Sequence, residues 1–167
     1  MIRRVTIRKF KRFREQMFEL AESVVLAGPN NAGKSTLLQA IATWKLGIDR
    51  WLAQREGGRA VKRSGVAITR ADFTAVPLRE MNLLWEGRKV TGPRGMSGTR
   101  RLIEIVVEGG AGEENWTCGI EFQYSNPEVV HARPQMAKDL DPEAIREFPP
   151  LEARALDIVH VPPLAGI

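Results

Sequence analysis

The sequence is most restrictive in what it lacks. Cys118 is the only cysteine, so no internal disulfide can form, and a reducing compartment is the natural home. No apolar run approaches the roughly 20 residues needed to span a bilayer. The opening Met1-Ile2-Arg3-Arg4 has the charge of a secretory leader but not its apolar core, because Arg8, Lys9, Lys11, Arg12 and Arg14 follow at once. A cytoplasmic protein without a membrane partner is expected. Acidic residues are also in deficit, 20 against 25 lysines and arginines, for a net charge of +5. That balance suits an anionic partner, nucleotide or nucleic acid, and speaks to association more than to fold. There is no internal repeat.

What is present is enough for one packed domain: 167 residues, 43% of them hydrophobic. Residues 1–27 read as two strands, "IRRVTIRKF" and the short buried run "SVVLAG" (Ser23–Gly28). From Gly33 the apolar period changes. Leu37, Ile41, Trp44, Ile48 and Trp51 follow at spacings of four, three, four and three, one face of an α-helix, which Gly57-Gly58 stops. A basic connector "RAVKR" (Arg59–Arg63) comes next. Pro77 predicts the first turn of a short helix to about Trp85, with Gly87 behind it. "RKVTGPRGMSGTRR" (Arg88–Arg101) reads as a mobile loop or hairpin end. "LIEIVVE" (Leu102–Glu108) is a β-branched strand. After the Gly109–Gly112 turn, Trp116, Cys118, Ile120, Phe122 and Tyr124 alternate with Thr117, Gly119, Glu121 and Gln123, a period of two. Asp141-Pro142-Glu143 predicts a helix start, and "ALDIVHV" (Ala155–Val161) a final strand ending at Pro162-Pro163.

The most specific motif is Gly28-Pro29-Asn30-Asn31-Ala32-Gly33-Lys34-Ser35. It fits G-x-x-x-x-G-K-[ST], the phosphate-binding Walker A pattern. A polyphosphate needs several donors converging on one oxygen cluster, and backbone N–H groups in a loop supply them if no side chain intrudes. The glycines permit the tight turn and the close approach. A helix starting near Gly33 aims unpaired N–H groups and its positive dipole end at the β-phosphate. Lys34 would reach the β- and γ-oxygens, Ser35 would ligate Mg²⁺, and Thr36 would donate to the α-phosphate. ATP and Mg²⁺ are therefore the expected ligands. The competing reading is a chance match in a glycine turn, which the preceding strand and following amphipathic helix argue against.

"IRRVTIRKFKRFRE…FELAESVVLAGPNNAGKSTLLQAI" resembles the N-terminal end of the SMC/RecF-like ABC-type ATPases, a group that includes the OLD-type nucleases of phage defence. Ile7, Phe10, Lys11 and Phe13 match the group's opening strand motif, and Gly28 through Ile41 its phosphate loop. The match is good over about the first 48 residues; beyond them only the order of elements is similar. The resemblance implies an α/β P-loop NTPase fold: an ABC-ATPase N-terminal lobe with a mixed sheet around the Walker A helix and an antiparallel β arm. Residues 1–58 would be the Walker A core, 59–101 a connector and basic loop, and 102–167 the β arm and final strand. Lys11 and Arg12 would sit beside the nucleotide's phosphates or ribose. The residues alone also allow "RKFKRFR" to be a solvated edge strand blunted by its charges.

Several parts of that machinery are missing. No apolar strand ends in Asp-Glu: Glu108 has no aspartate before it, and Asp157 lacks the apolar run, so both read as ordinary strand residues. Met96-Ser97-Gly98-Thr99 only partly matches the group's Leu-Ser-Gly-Gly signature and reads as loop. Pro162-Pro163-Leu164 stand where a γ-phosphate-sensing glutamine is expected, and His160 reads as structural. The resemblance therefore implies a lobe completed by a C-terminal lobe, which these 167 residues do not contain, or by a second subunit. Such heads dimerise around ATP and act on DNA in repair, chromosome maintenance or phage defence. The basic clusters at Arg8–Arg14, Arg59–Arg63 and Arg88–Arg101 suit a phosphate backbone. Two other classes compete. A non-hydrolysing nucleotide-binding module would bind ATP without turnover, and a transporter-type ABC subunit would stack adenine on Phe10 or Phe13.

Overall fold

A computed structural model describes residues 1–56, 65–92, 100–111, 114–135 and 148–159. Six strands and one long helix carry the fold: β1 (Ile2–Phe10), β2 (Phe13–Glu19), α1 (Lys34–Glu56), β3 (Val66–Thr69), β4 (Ile103–Ala111), β5 (Glu114–Asn126) and β6 (Val129–Pro134). A single helical turn, α2 (Leu151–Arg154), closes the described chain. The strands form one sheet in the order β2-β1-β4-β5-β6-β3. Every pairing in it is antiparallel.

Alternation decides which side of the sheet is core. Val5 and Ile7 of β1 stand opposite Val107 and Ile105 of β4. Ile103, Ile105 and Val107 in turn face Phe122, Ile120 and Cys118 of β5. All are buried, and the stripe continues through Val130, Ala132 and Ile68. α1 covers this face with Leu37, Ala40, Trp44, Ile48 and Trp51, the periodicity read from the sequence, although Ile41 is only half-buried. The Trp44 indole stacks on Trp116 at 6.4 Å and donates its N–H to the Cys118 carbonyl at 2.8 Å. A buried indole N–H needs such a partner, so this bond fixes helix register as well as packing. Gly47 lets the helix approach: a Cβ there would lie 2.9 Å from Ile120 and 3.1 Å from Phe122.

The opposite face is charged and internally paired. Arg4 reaches Glu19 and Glu108; Arg8 reaches Glu15 and Glu104; Arg133 reaches Glu121. Among the described residues no helix is long and apolar enough to cross a membrane.

Four expectations are corrected. The expected mixed sheet is antiparallel throughout. The strand expected over Ser23–Gly28 does not form. Both edges of β1 are taken by β2 and β4, so the run finds no neighbour and leaves Val25 93% exposed. Instead of a helix from Pro77 to Trp85 there are 3-10 turns over Met81–Leu84 and Glu86–Arg88. The backbone groups of this segment bond elsewhere: Met81 N–H to Pro127 O at 2.9 Å, and Leu84 O to Lys11 N–H at 2.7 Å. Ala155–Val159 is irregular, so the final strand is absent over the described part. The described ends of Arg88–Arg101 pair with each other, through the Thr91–Arg100 bridge and Arg101 N–H to Val90 O at 3.1 Å. Residues 57–64, 93–99, 112–113, 136–147 and 160–167 lie outside the described residues. With them lie the Gly57-Gly58 stop, the Arg59–Arg63 cluster, Met96–Thr99, the helix expected at Asp141, His160 and Pro162–Leu164.

Candidate nucleotide-binding site

The phosphate-loop residues form a compact turn at the N-terminus of α1. Ala32 N–H bonds Pro29 O at 3.1 Å, and Leu37 N–H bonds Gly33 O at 3.0 Å. Three left-handed positions shape it: Gly28 (φ +146°), Asn31 (φ +67°) and Gly33 (φ +104°). Asparagine tolerates that region better than most side chains, and glycine does so freely. Residues 28–32 are exposed, so nothing described covers the loop. The first turn of α1 carries no acidic residue. Its leading N–H groups have no intrahelical acceptor and face outward with the positive end of the helix dipole, an arrangement that receives anions.

Lys34 Nζ folds back over the entry of the loop, donating to Gly28 O at 2.5 Å and Pro29 O at 2.9 Å. Exposed Ser35 and half-buried Thr36 continue the helix, with their hydroxyls uncommitted among the described residues. A Mg²⁺ held here would ask little of the protein beyond one hydroxyl, since that ion is usually bound through water and substrate phosphates.

The turn joining β1 and β2 packs against the loop. A Cβ on Gly33 would fall 2.6 Å from Cζ of Phe13 and 3.4 Å from Cδ of Arg12. Gly33 is thus glycine for two reasons, its dihedral and the ring above it. The same contact brings Arg12 to the loop. Lys11 points elsewhere: its ammonium is half-buried and donates to Gln39 Oε1 of α1 at 2.6 Å. Burial lowers its pKa from the ordinary lysine value. Of the two basic residues expected beside a nucleotide, Arg12 lies against the loop and Lys11 against the helix. Phe13 and Gln39 are members of the site that the sequence reading did not assign this role.

Other expected participants are placed away from chemistry. Phe10 is fully buried and cannot stack a base. Phe13 is committed to Gly33 and, edge-on at 5.4 Å, to Phe18. Glu108 sits in β4 paired with Arg4 at 3.2 Å, and Asp157 is exposed outside any strand.

The AAA domain family model matches residues 4–122, more than half of the chain. The chain belongs to the AAA domain family. Membership carries nucleotide binding and ATPase chemistry in general, with ATP and Mg²⁺ as the usual ligands. The matched region of this AAA domain includes the loop, α1, the β1–β2 turn and most of β5. No curated protein matches the chain.

Proposed function

We propose that this AAA domain binds ATP and Mg²⁺ through Gly28–Thr36, with Arg12 as an additional contact, as the N-terminal lobe of an SMC/RecF-like head. The observation that carries the reading is the exposed, left-handed turn at the N-terminus of α1 with Lys34 at its mouth. Binding would exchange two carbonyl partners of Lys34 for β- and γ-phosphate oxygens. Hydrogen bonds between charged partners are roughly twice as strong as those to neutral acceptors, so the exchange is favourable. Ser35 would hold Mg²⁺, and Thr36 would donate to the α-phosphate. The metal, when bound, would supply charge neutralisation at the phosphoryl group, while Gly28–Thr36 and Arg12 would bind and orient the nucleotide.

In an ABC-type ATPase a glutamate orients the attacking water. Glu108 is committed to Arg4, so the reading assigns that carboxylate to a C-terminal lobe or a second subunit. ATP would then close a dimer of heads, which acts on DNA in repair, maintenance or phage defence. A module that binds without hydrolysing is the alternative, favoured by the same commitment of Glu108.

Titration calorimetry with ATP and Mg²⁺ tests the site. Lys34→Ala is expected to abolish binding with an unchanged circular dichroism spectrum; equal affinity in both proteins would refute the assignment. The purified chain is expected to turn over ATP negligibly, and a robust Lys34-dependent rate would mean that it holds its own catalytic carboxylate. To separate the alternative, a partner that completes the head is added: persistent absence of turnover would favour the non-hydrolysing module.

A further inference from the structure

We infer that Lys11 and Gln39 form a latch that positions Arg12 at the phosphate loop, so that Lys11 acts on the nucleotide through Arg12 rather than by touching it. The inference rests on the ATP reading above and deepens it. Three observations converge on the turn. Lys9 and Lys11 both hold left-handed backbone, φ +58° and +50°, without being glycine. Such conformations persist only where surrounding contacts over-determine them, and they cluster where a local geometry is needed. The contacts are present: Phe10 between them is fully buried and bridges Trp85, and Lys11 N–H bonds Leu84 O at 2.7 Å. The third observation is the 2.6 Å bond from the Lys11 ammonium to Gln39, 28 residues away on the helix that begins at the loop.

Gln39 lies five residues after Lys34, so the latch ties the turn to the helix about a turn and a half from the phosphate site. The next residue in the chain, Arg12, then has its Cδ beside Gly33, and Phe13 lays its ring over the same glycine. With the Lys11 ammonium held by Gln39, Arg12 is the member of the Lys11–Arg12 pair left to join Lys34 at the loop. A guanidinium offers a planar fork of donors suited to phosphate oxygens, whereas a half-buried ammonium would have to leave its partner first.

The test is a set of ATP affinities by calorimetry on the full 167-residue chain: Arg12→Ala, Lys11→Met, Gln39→Leu, and Arg12→Ala in each latch-broken background. The latch predicts that Lys11→Met and Gln39→Leu each weaken ATP by about 5- to 20-fold, in the range of couplings between contacting groups. It also predicts that Arg12→Ala costs a similar factor in the parent but less than about twofold once either partner is lost. Gln39→Glu, which keeps an acceptor for the ammonium, should lose less affinity than Gln39→Leu; an equal or larger loss would overturn the latch. Full additivity of Arg12→Ala with Lys11→Met would overturn the inference. So would a Lys11→Met loss that Gln39→Leu does not reproduce, since that pattern belongs to a lysine touching the nucleotide directly. If Lys11→Met does not fold, the Gln39→Leu pair carries the same comparison. Amide hydrogen exchange on the nucleotide-free chain separates failure of the latch from failure of the ATP reading. Faster exchange at residues 11–14 in Gln39→Leu supports the latch even if the parent binds no ATP, and unchanged exchange there overturns it.

Discussion

Single positions in this chain are constrained by what touches them rather than by residue type. Gly33 combines φ +104° with a ring 2.6 Å from where its Cβ would be. Gly33→Ala must therefore pay strain of about 1–3 kcal/mol and displace Phe13. ATP affinity should fall at least about tenfold in a fluorescent-nucleotide titration. Adding Phe13→Ala removes the clash but not the dihedral, so it should restore only part of the loss; complete restoration would show that the dihedral is unimportant. Cys118 illustrates the same dependence on surroundings. Its burial under α1 pushes the thiol pKa up from 9.0 to about 12, with the Trp44 contact opposing weakly. Native protein at pH 8 should resist iodoacetamide while denaturant-unfolded protein reacts within minutes. The unfolded thiol ionises near pH 9 while the folded one stays neutral, so the buried thiol stabilises the fold. This contribution is fully present below pH 9 and is lost progressively as pH rises toward 12. A denaturation series over that window, compared with Cys118→Ala, isolates it from other titrations.

At the level of elements, α1 meets the sheet through a glycine that propensity alone would replace. Gly47→Ala gains about 1 kcal/mol of helix propensity. Against this, the new methyl lies 2.9 Å from Ile120 and 3.1 Å from Phe122 in a closed core, and overpacking of that kind costs about 1–3 kcal/mol. Net destabilisation of up to about 2 kcal/mol is expected in urea titration, and a stabilised variant would show that the helix can slide outward without penalty. α1 was legible in the sequence because its apolar period and loop glycines are local signals. β4 and β5 were legible because alternation is local too. β2 was not: "FREQMFE" is an edge strand with five of seven residues exposed, so it has little apolar pattern to read. β6, "VVHARP", is short and ends in proline, which demotes a strand reading. "SVVLAG" failed in the opposite direction. An apolar run announces the wish to be covered, but whether a neighbouring strand exists to cover it is a property of the whole topology. The site divides in the same way. The Gly28–Ser35 pattern is contiguous and visible, whereas the Phe13–Gly33 and Lys11–Gln39 contacts join residues 20 and 28 positions apart and carry no spacing rule.

Across the whole molecule, charge separates into two populations, and the separation predicts where a polyanion binds. The open face of the sheet is neutralised within itself: Arg8, for example, bonds Glu15 and Glu104, which raise its pKa. Arg4 and Arg133 are paired likewise. Arg12, Arg14, Arg79, Arg88, Lys89 and Arg100 are exposed and have no acidic partner among the described residues. Arg14 and Arg88–Lys89 flank in sequence one backbone junction, where Lys11 N–H bonds Leu84 O and Phe10 bridges Trp85. If the proposed DNA contact uses this junction, each phosphate neutralised there releases counterions and contributes about 0.9 to the slope of log affinity against log salt. Replacing Arg14, Arg88 and Lys89 by glutamine should therefore lower that slope for a short duplex by about 2 to 3, measured by fluorescence anisotropy between low and moderate salt. Arg4→Gln and Arg133→Gln should leave the slope within about 0.5, because a cation already bonded to carboxylates has no excess charge to offer. A larger effect from the paired arginines than from the unpaired ones would move the nucleic-acid surface onto the open sheet. Loss of DNA binding without any change in slope would mean that the three residues act through the fold rather than through phosphate contact.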